Sequence, residues 1–90
     1  MTAIFTNGTA NEDNRGGPQL AGGSGMLTLG GTLGQCVVNV YVTSGVAEEA
    51  PLYTFRGLGA KVFNVTAGSL IVAEIKGADP ATSVNLEWTE

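Results

Sequence analysis

Residues 35–42 read Gln35-Cys36-Val37-Val38-Asn39-Val40-Tyr41-Val42. In an extended chain Cys36, Val38, Val40 and Val42 share one face, and Val37, Asn39 and Tyr41 share the other. The run is short, rich in β-branched and aromatic residues, and bounded by Gly34 and by Ser44-Gly45. Those are the marks of a strand rather than of a helix. One face is wholly apolar and the other half so, which predicts a central strand whose neighbours complete a sandwich core. Upstream, Gly25-Met26-Leu27-Thr28-Leu29-Gly30-Gly31 places Leu27 and Leu29 on one face. The stretch Gly30-Gly31-Thr32-Leu33-Gly34 permits a tight reversal, so 26–42 is expected to form a hairpin.

Working outward, the same period of two recurs. Leu52-Tyr53-Thr54-Phe55 is a short strand closed by the turn Arg56-Gly57-Leu58-Gly59. Residues 60–65 form another, with Phe63 and Val65 on one face, and Thr66-Ala67-Gly68 turns the chain. Residues 69–76 set Ile71, Ala73 and Ile75 against Leu70, Val72 and Glu74. Gly77-Ala78-Asp79-Pro80 has clear turn chemistry. Residues 82–89 alternate most cleanly, with Val84, Leu86 and Trp88 inward and Ser83, Asn85, Glu87 and Thr89 outward. Short strands at regular spacing define an all-β protein, here a small antiparallel β-sandwich of six to seven strands: six in the domain at residues 26–90 and a possible seventh at the N-terminus.

Residues 1–25 read as an N-terminal arm. Between Asn7 and Gly25 six of nineteen residues are glycine, and most of the others are small or polar. Such a segment buries too little to offset its ordering entropy. Ile4 and Phe5 are the only large apolar residues before Leu20. Residues 2–6 admit a short edge strand. The plain reading is a mobile arm; the sharper one is an arm ordered on a partner, with Ile4 and Phe5 as partner-binding anchors.

The chain has 90 residues, one cysteine and a net charge of −4 from four basic and eight acidic side chains. One small domain is expected, burying roughly 60–65% of its unfolded surface and therefore of marginal stability alone. Cys36 has no partner for a disulfide within the chain. Self-association, or docking on a larger surface, is the expected remedy. The acidic balance argues against nucleic acid as a partner. No stretch approaches the roughly 18 apolar residues of a membrane span, so no membrane partner is expected. Met1-Thr2-Ala3-Ile4-Phe5-Thr6 lacks the basic start and long apolar core of a secretory leader, and cytoplasmic synthesis is expected.

The chemistry-bearing residues are few. There is no histidine, which removes histidine metal sites, catalytic triads and histidine acid–base work. Cys36 lies mid-strand on an apolar face and reads as a buried structural thiol. No glycine pattern matches a phosphate-binding loop. Glu74, Asp79, Glu87 and Glu90 gather near the end of the chain. Glu74 is the odd one, sharing a face with Leu70 and Val72, and an edge position or a partner such as Lys61 or Arg56 would explain it. Trp88 reads as core rather than as a sugar platform, for which only Tyr41 and Tyr53 could join it. No enzyme, metal site or cofactor is expected.

The stretch from Gly23 to Val42 resembles the opening of small all-β proteins of tailed-bacteriophage virions, where a glycine-rich start precedes a Gly-Thr-Phe/Leu-Gly-Gly-x-Val-x-Leu hairpin. Ala67 to Gly77 is similar to that family's Gly-x-Leu/Tyr-x-Val-x-Val-x-Gly strand, and Ser83 to Trp88 to its closing Ser-Val/Leu-x-Val-x-Leu strand. The resemblance covers residues 23–89 and departs at Cys36 and at Glu48-Glu49. It implies a virion structural protein made in the host cytoplasm: a capsid decoration, or cement, protein on the head exterior. The major capsid protein is then a partner, and self-association as a homotrimer is expected. The competing readings are a fibre, tail or carbohydrate-binding module recognising host glycans, and an immunoglobulin-like adhesion domain. The last lacks the cysteine pair and the mid-chain tryptophan.

Overall fold

The computed structural model describes residues 2–9, 12–14, 22–43 and 50–90. Eight strands are seen among them: β1 Thr2–Gly8, β2 Glu12–Asn14, β3 Gly23–Thr32, β4 Val37–Thr43, β5 Ala50–Phe55, β6 Gly59–Val65, β7 Leu70–Lys76 and β8 Ser83–Thr89. They form two four-stranded antiparallel sheets, in the orders β1-β8-β3-β6 and β2-β7-β4-β5. The all-β class is as the period of two predicts. With β1 as the possible seventh strand at the N-terminus, the count exceeds the expected six to seven by the three-residue β2.

Every consecutive pair of strands except β4–β5 switches sheet. This corrects the expected hairpin over 26–42. Strand β3 pairs with β6 and β8, and β4 pairs with β5 and β7, so the two lie in opposite layers. The physical reason lies in their apolar faces. A hairpin would set Leu27 and Leu29 beside Val38 and Val40 in one sheet; an arch lets the two faces close on each other. All four side chains are at most 2% exposed. They join Ile71, Ala73, Ile75, Val84, Leu86 and Trp88 in one core. Each fully buried Val, Leu or Ile contributes roughly 1.5–3 kcal/mol of transfer free energy.

Two arches are bonded to each other. Leu33 to Cys36 carries the chain from β3 to β4, with a Cys36 N–H to Leu33 carbonyl bond of 3.3 Å and Gly34 at φ 64°. Residues 77–82 carry it back from β7 to β8. The Asp79 carboxylate accepts from the backbone N–H of Ala81 at 2.8 Å and of Gln35 at 3.0 Å. Thr82 is 2% exposed. Its hydroxyl accepts from Asp79 N–H at 3.0 Å and donates to the Leu33 carbonyl at 3.1 Å, with the Asp79 carboxylate at 3.2 Å as the alternative acceptor. These bonds satisfy arch amides and carbonyls that have no ladder partner.

The short edge strand admitted for residues 2–6 is present as β1, at the edge of its sheet, while the free arm is not. β1 pairs with β8 of its own chain, with Ala3 opposite Glu87 and Phe5 opposite Leu86. Ile4 and Phe5 are each 6% exposed and belong to the core cluster. They are therefore not anchors held out for a partner, and residues 2–8 are not a free arm. The expected domain boundary at residues 25 and 26 falls inside β3. The glycine-rich pattern misleads there because composition alone cannot register that two large side chains complete a core. Residues 1, 10, 11 and 15–21 of the expected arm, and Glu48-Glu49, lie outside the described residues.

Candidate functional site

Strand pairing assembles a polar row on the outer face of the β2-β7-β4-β5 sheet. Ala73 and Ile75 point into the core, so Glu74 between them points out. Asn39 lies between buried Val38 and Val40 on β4, directly opposite Glu74 on one side and Thr54 on the other. The side chains bond in that order. Thr54 Oγ1 donates to Asn39 Oδ1 at 2.9 Å, and Asn39 Nδ2 donates to Glu74 Oε1 at 3.1 Å. Tyr41, two residues along β4, donates its hydroxyl to the same carboxylate oxygen at 2.9 Å. Lys76 Nζ stands 4.0 Å from Glu74 Oε2, and its side chain is 60% exposed, so that pair adds little.

Glu74 thus finds donors, but they are Asn39 and Tyr41 rather than the Lys61 or Arg56 that the sequence suggests. Register decides this: both arginine and lysine lie across the other layer or at its margin, while Asn39 is fixed opposite. The row could be foreseen only by pairing β4 with β7, which no local pattern specifies.

The four carboxylates that gather in sequence do not gather in space. Glu87 lies between buried Leu86 and Trp88 on β8, so it faces outward from the opposite sheet to Glu74. Asp79 braces the arches, where the Ala81 N–H bond, with help from Gln35 and Thr82, holds its carboxyl below the ordinary range. Glu90 accepts from the Trp88 indole N–H at 2.9 Å. Among the described residues no three Cys, Asp or Glu side chains come close enough to share a metal ion.

Cys36 is 2% exposed. Burial pushes its thiol pKa up, and nearby Asp79 adds to that, against the lowering effect of the Thr82 hydroxyl. Such a thiol is a poor nucleophile at neutral pH. Trp88 is core, also 2% exposed. Tyr53 sits in an aromatic cluster at the β5–β6 margin, edge-on to Phe55 at 4.8 Å and tilted against Phe63 at 5.9 Å, with Lys61 Nζ 5.5 Å from its ring centre. That cluster closes the open side of the sandwich. Among the described residues every buried side-chain nitrogen and oxygen has a hydrogen-bond partner.

No protein-family model, curated protein or solved structure matches the chain.

Proposed function

We propose that the chain is a structural protein of a tailed-phage virion, a decoration protein that binds the major capsid protein on the head exterior and associates as a trimer. It is made in the host cytoplasm and resides on the virion surface. The observation that carries this reading is how the reactive side chains are employed. Glu74 ties β7 to β4 through Asn39 and Tyr41, Thr54 extends the row from Asn39 to β5, Asp79 locks two arches, and Cys36 is enclosed. Carboxylates braced in this way make a rigid module, which is what a cement role requires. The likeness of residues 23–42, 67–77 and 83–88 to virion β-proteins supplies the class.

Co-sedimentation of the full chain with purified phage capsids, assembled from the major capsid protein of the same virion, tests the proposal. Saturable retention at a fixed ratio to the capsid protein supports it. A chain left in the supernatant at every concentration, or one captured instead by immobilised host glycans, contradicts it.

A further inference from the structure

The two arches meet at Asp79, and each of its carboxylate oxygens takes a backbone donor from a different arch. Oδ1 accepts from the Ala81 N–H of its own arch at 2.8 Å, and Oδ2 accepts from the Gln35 N–H of the other at 3.0 Å. The seat is close. A Cβ on Gly34 would overlap the carboxylate, and one on Gly77 would stand 3.5 Å from the Gln35 carbonyl oxygen. Thr82 supplies a second bond between the arches, from its hydroxyl to the Leu33 carbonyl at 3.1 Å. Cys36 follows Gln35 directly, is 2% exposed, and has its thiol hydrogen-bonded to Thr82.

An ionised carboxylate only accepts hydrogen bonds, whereas a carboxylic acid carries an O–H donor. Once Asp79 is protonated, one of its oxygens turns a proton toward a backbone N–H, and one of the two bonds is lost. The Ala81 bond closes over two residues and is kept by local geometry. The Gln35 bond spans forty-four residues and is the one that breaks. The charged residues on the strands that enter and leave the arches are Glu74 and Lys76 on β7 and Glu87 on β8. Asp79 is held by backbone and hydroxyl donors rather than by any of these, and among the described residues the titratable group that its charge reaches is the Cys36 thiol.

We infer that Asp79 is an acid-released clasp: its protonation parts the β3–β4 arch from the β7–β8 arch and opens a path to Cys36 while both sheets stay folded. The opening is local for two reasons. The core of Leu27, Val38, Ile75 and Leu86 is built from strand residues and does not include Asp79, and the Thr82 bond to Leu33 is untouched by the proton. Connections held by a few polar bonds are the parts of a fold that open first. The direction follows from the lowered carboxyl: the clasp is closed above the ordinary value of 3.8 and opens as the pH falls through the lower folded value. The clasp is a property of the free chain and does not depend on the capsid role proposed above.

The test is the rate at which dithiodipyridine, which reacts with thiols even in mild acid, modifies Cys36. The rate is taken as a ratio to that of the urea-unfolded chain at the same pH, so that the pH dependence of a free thiol divides out. The full chain, Asp79→Asn and Glu87→Gln are compared, with far-ultraviolet circular dichroism and Trp88 fluorescence followed in the same samples. In the full chain the ratio should rise roughly five- to tenfold, the worth of one solvent-touched hydrogen bond, as the pH falls below about 4, with both spectra unchanged. Asparagine has one acceptor oxygen and copies the protonated carboxyl. Asp79→Asn should therefore show the raised ratio already at neutral pH and no further rise in acid, while Glu87→Gln should follow the full chain. A ratio that stays flat in the full chain until the spectra collapse, or that rises with acid equally in Asp79→Asn, would overturn the inference. If Asp79→Asn does not fold, amide exchange in the full chain decides. Gln35 exchanging ahead of the β4 amides as the pH falls supports the clasp, and exchange in step with them contradicts it.

Discussion

The indole of Trp88 occupies the space in which a side chain at position 25 would stand. Gly25 lies on the inner face of β3, and a Cβ built there would overlap the six-membered ring of Trp88 on neighbouring β8. The glycine is needed for close approach rather than for a special backbone angle. Trp88 is buried to 2% and held through its N–H to Glu90.

Gly25→Ala should therefore destabilise the fold by about 1–3 kcal/mol or somewhat more, as overpacking does. Trp88→Phe withdraws the overlapping ring, so in its background the Gly25→Ala penalty should shrink. A double-mutant cycle from urea denaturation measures the coupling. Additive effects would show that the two residues do not compete for one space.

Removal of residues 1–9 deletes β1 and takes Ile4 and Phe5 from the core. The expected cost is on the order of 5 kcal/mol, comparable to the whole stability of a small domain. Circular dichroism and thermal melting should show a protein unfolded or nearly so at 25 °C. A truncated chain that melts cooperatively near the full chain's temperature would restore residues 2–8 to the status of an arm.

Asp79 confers a pH dependence. Its carboxyl pKa is lowered in the folded state, chiefly by the Ala81 N–H, with Gln35 and Thr82 assisting. A depressed folded pKa means the stabilisation is present above the ordinary carboxylate value of 3.8 and lost as the pH falls through the folded value. Melting temperature should drop below about pH 4 in the natural chain. Asp79→Asn should melt lower at neutral pH and show a flatter acid limb. Equal slopes in the two proteins would remove Asp79 from the acid response.

Cys36 should resist thiol reagents in the native state. Its enclosure and raised pKa predict modification at least about 100-fold slower in native buffer than in denaturant. A reaction complete within seconds without denaturant would place the thiol at the surface and contradict the packing of the β3–β4 arch.

The strands themselves were legible. The alternation of Val84, Leu86 and Trp88, of Ile71, Ala73 and Ile75, and of Cys36, Val38 and Val40 marks the buried face correctly in each case. What alternation does not encode is which sheet a strand joins. Leu27 and Val38 look like hairpin neighbours because the connection between them is short and glycine-bearing; the pairing of β3 with β6 and β8, and of β4 with β5 and β7, shows an arch, which the bond from the Gln35 amide to Asp79, forty-four residues away in sequence, braces. The polar row was hidden for the same reason. Asn39, Tyr41, Thr54 and Glu74 are unremarkable until β4 is set between β5 and β7. Ile4 and Phe5 were visible as a pair that must be buried, but the glycine-rich stretch after them pointed outward when the structure folds them in.

The proposed role is tested most directly by single-particle electron microscopy of phage capsids incubated with the full chain. The account predicts added density on the outer surface at symmetry-related positions of the lattice, grouped in threes, each fitted by one two-sheet sandwich. Capsids whose outer surface stays bare under saturating chain, or density confined to a tail or fibre, would contradict it.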